Sequence, residues 1–248
     1  MPYSYRHILA FLSLFWSCLF TVDLSAQTPY LKGTISAGQI IKHRTEIIFD
    51  NDVLSYSGEL NLVWQTNGKK PWHQLQNFPR LSLGLRYHSL GDKDVVGDAI
   101  GLRANIDLPF FRKEKSALHF GFSTGIAFLT QPFDRISNQE NNAIGSHWNS
   151  SVDIKFEYER KLNKNIKIHF GIGFSHYSNG ARKLPNLGLN LPHVYIGISP
   201  YVGSYEKEYF QFLDVSKEAK RKWGFGFQLQ YTQAVSYTHL TLPTICSV

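Results

Sequence analysis

The chain has 248 residues, of which 43% are hydrophobic, 15% aromatic and only 18% charged, with 26 Lys+Arg against 19 Asp+Glu and a formal net charge of +7. So many aromatics with so little charge exclude a disordered chain. Two cysteines, Cys18 and Cys246, exclude a disulfide scaffold, and past the N-terminus no apolar run reaches the ~20 residues of a membrane helix. What remains is one domain, or two, rich in Phe, Tyr and Gly, a profile that suits an all-β protein and in particular a membrane β-barrel.

The first element is a secretory signal over residues 1–26. Arg6 and His7 precede an almost uniformly apolar stretch at 8–22, and Ser25 and Ala26 offer small residues at a cleavage point before Gln27. The apolar stretch is short for an uncleaved anchor, and Phe15, Trp16 and Ser17 before Cys18 match a lipid-attachment site poorly. Cleavage would remove Cys18, so export costs the protein no thiol chemistry.

The mature chain then repeats period-2 alternation, the signature of strands with two unlike faces. A weaker segment at 33–42 is followed by 58–66, where Leu60, Leu62 and Trp64 alternate with Glu59, Asn61 and Gln65. In 80–88, Leu81, Leu83, Leu85 and Tyr87 alternate with Arg80, Ser82, Gly84 and Arg86. Segments 98–108, 116–128 and 147–160 continue the pattern, the last setting Val152, Ile154, Phe156 and Tyr158 against Asp153, Lys155, Glu157 and Glu159. In 165–178 the series Ile166, Ile168, Phe170, Ile172 and Phe174 alternates with Lys167, His169, Gly171, Gly173 and Ser175. Less regular segments at 192–203 and 222–234 bring the candidates to nine.

The strong segments are long enough to cross a bilayer when tilted. A soluble sandwich turns its apolar face inward; a small membrane barrel inverts this, with large apolars toward lipid and small or charged residues filling the lumen. Alternation alone does not separate the two. The signal segment, the lack of cysteines and the strand length favour an antiparallel outer-membrane β-barrel over 27–234, in which the charged face fills the interior as paired ions. The tight turn at 162–164 and the short one at 109–115 would be periplasmic, and the long polar connections at 129–146 and 179–191 extracellular. Single-chain barrels have even strand numbers, so either one segment lies outside the barrel or further strands follow Ala234. The run 235–244 back-translates to a sequence that resembles the transposon-end adapter of sequencing libraries, so 235–248 is read as non-native and Cys246 with it.

One stretch carries candidate chemistry. His176 and Ser178, two apart on a strand, lie on one face with Cα atoms ~6.6 Å apart, the minimum arrangement for a serine activated by an imidazole. Asn179 and Gly180 follow and offer donors for an oxyanion. Both His176 and Ser178 continue the even, apolar series of 166–174, so on the barrel reading they face lipid at the outer rim, where they would meet membrane amphiphiles. A strand leaving the apolar zone into the headgroup layer would also carry such residues.

The segment Phe174, Ser175, His176, Tyr177, Ser178, Asn179, Gly180, followed by Pro185, Asn186, Leu187, Gly188, Leu189 and Asn190, resembles the PagL-type lipid A 3-O-deacylases. The upstream run from Phe120 to Asp134 resembles longer, Bacteroidetes-type members, and the likeness spans roughly 79–203. The resemblance implies an outer-membrane barrel that hydrolyses an ester-linked acyl chain of lipid A, with Ser178 as nucleophile, His176 as base and the Asn179–Gly180 region at the oxyanion. It implies lipid A or lipopolysaccharide and membrane lipid as partners. The chain departs from the family at Asn190, where the well-studied enzymes carry a Glu that orients the His. An Asn carbonyl accepts the imidazole N–H but adds no negative charge.

No metal-ligand spacing and no cofactor or phosphate-loop motif occurs, so no cofactor is expected. In an exported protein the basic balance points to anionic headgroups and not to nucleic acid, with Arg182 and Lys183 beside the dyad as candidates for lipid A phosphates. The rivals are a non-catalytic structural or pore-forming barrel and a barrel acyltransferase.

Overall fold

The computed structural model describes residues 29–49, 52–163 and 165–200. The signal segment, the candidate strand 222–234, the end of the segment 192–203 and the tail 235–248 lie outside the described residues. Eight strands, β1 (Tyr30–Gly38), β2 (Ser55–Gln65), β3 (Arg80–Ser89), β4 (Asp98–Arg112), β5 (Ser116–Leu129), β6 (Trp148–Lys161), β7 (Ile166–Ser178) and β8 (Leu189–Pro200), close into one barrel in chain order. Every neighbouring pair is antiparallel, and β8 returns to β1 through the Gly33–Ile198 to Gly38–His193 register. The closed ring satisfies the backbone of every strand within the sheet, which is what a bilayer demands. A short helix, α1 (Pro71–Leu75), lies in the β2–β3 connection.

Alternation sorts the side chains as the sequence pattern requires. Leu60, Leu85, Leu102, Ile126, Phe156, Ile172 and Val194 are exposed on the outside of the barrel. Lys32, Glu59, Arg80, Arg86, Arg103, Asp107, Asp153, Lys155, Glu157, Glu159 and Lys167 are all buried inside it. An apolar outer band around a charged interior is the membrane-barrel arrangement. Tyr56, Tyr87 and Trp148 ring the long-loop end and Phe110 and Phe111 the other, all exposed on the outside, where an interfacial aromatic belt belongs.

Inside, the charges neutralise one another. Asp153 Oδ2 accepts from Arg86 and Arg103, both at 2.9 Å, and from Ser175 Oγ at 3.0 Å. Arg80 donates to Asp107 at 3.0 Å, to Glu157 at 2.8 Å and to Glu159, while Lys32 pairs with Glu157. His169 bridges Glu157 at 3.0 Å and Ser199 at 2.7 Å. A lumen filled this way is a packed plug: in a low-dielectric interior each charge is tolerated only while its partners stay in place.

The long connections hold a feature the alternation does not encode. Ile40, Ile47 and Phe49 from the β1–β2 loop, Leu90, Val95 and Val96 from β3–β4, and Ala143 and Ile144 from β5–β6 bury together against Leu129, Tyr177, Leu189 and Leu191 at the strand ends. The loops therefore form a cap with its own apolar core above the charged lumen. The turn expected at 109–115 shortens to 113–115 because β4 runs on to Arg112, across a register shift at Pro109 to Phe111. The connection expected over 179–191 ends earlier, since β8 begins at Leu189, three residues before the segment expected from 192. Asn190 therefore sits on a strand and not in a loop.

Candidate active site

The inward residues of β7 are Lys167, His169, Ser175 and Tyr177, all buried; His176 and Ser178 fall between them on the outward face, half-buried. This follows from the strand period alone, since Ile166 to Phe174 occupy the same outward row. The pair stands at the end of β7 nearest the cap, with Val152 and Ser150 of β6 beside them on one side and Asn190 of β8 opposite His176 on the other.

His176 Nδ1 lies 2.6 Å from Asn190 Oδ1. An amide oxygen only accepts, so Nδ1 carries the hydrogen and Nε2 keeps its lone pair. The cross-strand pair thus leaves the ring in the tautomer a general base needs. Among the described residues no carboxylate bonds to His176, so no other acid takes the place of the Asn. Among the described residues no hydrogen bond joins Ser178 to His176, whose Nδ1 is engaged by Asn190. In enzymes without substrate such bonds are commonly long and tighten only in the complex.

Three loops converge behind the pair. Asn179 donates its side-chain N–H groups to Ser146 Oγ and to the Lys183 carbonyl, both at 2.9 Å, and its backbone N–H to Asn186 Oδ1 at 2.9 Å. These three bonds make Asn179 a clamp between the β5–β6 and β7–β8 connections. Gly180 and Ala181 follow with φ of 64° and 59°, and their backbone N–H groups have no partner among the described residues. A non-glycine residue in that region is strained, and such strain tends to persist at functional sites. Ile41 N–H donates to the Asn190 carbonyl at 2.9 Å, His43 Nε2 lies 3.0 Å from the Leu187 carbonyl, and Gly188 N–H donates to Ala143 O at 3.0 Å. Ser146 was not legible as a site residue from its type, and for Asn186 and Gly188, which the motif contains, the cross-loop contacts supply the role. Arg182 and Lys183 are exposed on the crest of the β7–β8 connection.

Glu157, Glu159 and His169 bring three ligand-type atoms within 4.8 Å of one another in the lumen. Arg80, Lys32 and Lys167 already pair with these carboxylates, so the group belongs to the interior network. Below the dyad, a groove of about 620 Å³ on the outside is lined by Ile154, Phe156, Ile172, Phe174, Pro192 and Val194 among others.

A family model described as lipid A 3-O-deacylase (PagL) matches residues 57–199. Among solved structures, Neisserial surface protein A superposes with a TM-score of 0.50 at 9% identity, over 72% of this chain and 99% of that one. The outer membrane enzyme PagL superposes with a TM-score of 0.46 at 14% identity, over 67% of this chain and 97% of that one. No curated protein matches the chain.

Proposed function

The chain belongs to the lipid A 3-O-deacylase (PagL) family, and from that premise we propose that it is an outer-membrane serine esterase that removes an ester-linked acyl chain from lipid A or a related glycolipid. The observation that carries this reading is the outward placement of His176 and Ser178 with Nδ1 of the histidine tied to Asn190. A polar pair with a free imidazole lone pair, set on a lipid-facing row, meets amphiphiles whose ester lies at the headgroup boundary.

In the proposed reaction His176 Nε2 takes the proton of Ser178 as Oγ attacks the ester carbonyl carbon. The carbonyl electrons move to oxygen, and the backbone N–H groups of Gly180 and Ala181 meet the oxyanion. The tetrahedral adduct collapses, the sugar oxygen leaves with the proton from His176, and an acyl-serine remains. Water, deprotonated by His176, then releases the fatty acid and restores Ser178. Asn190 orients the ring but stabilises its cationic form less than a carboxylate does, so catalysis is slower than with an acid at that place. The apolar groove beneath the pair offers a bed for an acyl chain, and Arg182 and Lys183 are placed for headgroup phosphates. The signal peptide at 1–26 and a soluble-to-membrane route through the periplasm accompany this reading.

The packed, ion-paired lumen speaks against a pore. Mass spectrometry of lipid A from cells with and without the expressed protein tests the proposal. Loss of one acyl chain is expected with the native sequence and not with Ser178→Ala; equal acylation in all three samples would refute it. Appearance of the missing chain on another lipid, in place of free fatty acid, would make the protein an acyltransferase instead.

A further inference from the structure

Behind the dyad, Gly188 occupies a place where a side chain has no room. It precedes β8 with φ +81°, and a Cβ built there would lie 2.8 Å from His176 Cε1, 3.5 Å from Nε2 and 3.3 Å from the Tyr177 carbonyl. The first distance is closer than carbon atoms approach without displacement. The β7–β8 register pairs His176 with Asn190 and Tyr177 with Leu189, and Gly188 is the residue just before that ladder begins. The glycine cannot drift away. Its N–H is held by the Ala143 carbonyl at 3.0 Å, and the preceding Leu187 carbonyl lies 3.0 Å from His43 Nε2.

We infer that Gly188 is the positioning residue of His176: a fixed backbone wall without a side chain, against which the Cε1–Nε2 edge of the imidazole rests while Nδ1 reaches Asn190. The ring is thereby defined on two sides, by an acceptor and by a surface. This matters more here than in a site with a carboxylate, because a neutral amide holds the ring by one uncharged hydrogen bond, weaker than a charge-assisted one. The inference rests on His176 acting as the base, but it states a geometric fact about the ring that holds whether or not the barrel turns over.

Two substitutions separate the wall from the backbone. Gly188→Ala adds a Cβ and also strains a positive φ; Gly188→Asn adds the same Cβ but suits that backbone better, since Asn enters the left-handed region several-fold more readily than other residues. The primary readout is nitrogen NMR of histidine-labelled, folded barrel in detergent micelles, with the His176 signal assigned by its loss in His176→Gln. The native protein is expected to show the Nδ1–H tautomer, and both variants a mixed tautomer as the ring leaves Asn190. Deacylation by the folded fraction is expected to fall about tenfold or more in kcat, in keeping with a misplaced general base, while KM stays within about twofold. A native tautomer in Gly188→Asn would overturn the inference. So would a loss confined to the Ala variant, or failure of both to fold, since either would make the glycine's role purely structural. Equal acylation with native protein and Ser178→Ala would instead refute the esterase reading and leave the tautomer result to decide the role of Gly188.

Discussion

On the inward face of β7, Lys167, His169 and Ser175 each meet a charged partner: Glu159 at 3.2 Å, Glu157 at 3.0 Å and Asp153 at 3.0 Å. On the outward face, one residue away, the His176 side chain has a single neutral partner in Asn190 and the Ser178 side chain has none among the described residues. The two faces use the same residue types for opposite ends. Inside, polar groups exist to satisfy one another, and removing one leaves a buried charge behind. Outside, the polar pair is left unsatisfied beside an apolar surface, the condition in which an imidazole and a hydroxyl are available to a substrate. On the proposed function, stability and chemistry are divided between the faces of one strand.

That division breaks or holds under paired substitutions. Ser178→Ala is expected to cost at least about a thousandfold in deacylation, as removal of a serine nucleophile does, and to leave unfolding within about 0.5 kcal/mol of native, as substitutions outside packed cores and buried polar networks do. Denaturant titration beside a lipid assay measures both. Asp153→Ala is expected to do the reverse: with Arg86 and Arg103 stripped of a shared partner, destabilisation of about 3–5 kcal/mol follows from uncompensated buried charge, while the fraction that remains folded keeps its rate. A lumen variant that lost activity without losing stability would show that the interior takes part in the chemistry.

The comparison sharpens at Asn190, the point where the two faces share a strand pair. Asn190→Leu removes the acceptor for Nδ1, and a rate loss of about tenfold or more is expected from the disoriented base. Asn190→Glu is expected to retain or raise the rate, because a carboxylate steadies the imidazolium. A dead but folded Glu variant would show that Asn190 serves another purpose.

How much of this was legible without coordinates follows the physics of each part. The side-chain period of a strand is two, so the lumen and lipid faces, and the outward placement of His176 and Ser178, could be read by counting. Strand ends could not: β8 starts at Leu189, and nothing in Leu189, Asn190 and Leu191 marks them as strand rather than loop. The cap was illegible for a related reason. Ile47, Leu90 and Ile144 lie in segments without periodicity, and only the closure of the barrel brings them together. The commitment of Asn179 to Ser146 and Lys183 likewise depends on two loops meeting far apart in sequence.

The smallest expected effect lies in the β5–β6 loop. Backbone N–H groups of Ser137 and Ile136 hold the exposed Asp134 carboxyl below its ordinary value. A carboxylate with a depressed pKa lends order that is present above its unfolded value and is lost as pH falls through the folded one. Hydrogen exchange in 134–138 should therefore rise in acid in the native protein, whereas in Asp134→Ala it should already be high near neutral pH. Unchanged exchange in that variant would show that the loop is held by Asn138 and Asn141 alone.

The claim that the outward pair of β7 is the reactive centre is tested most directly by covalent trapping. Folded barrel in detergent is exposed to a long-chain phosphonate ester that alkylates no free amine but phosphonylates an activated serine, then digested and mapped by mass spectrometry. The expected result is one adduct, on Ser178, absent in His176→Ala. An adduct on a lumen serine such as Ser175, or none on Ser178 in a preparation that deacylates lipid A, would contradict the assignment.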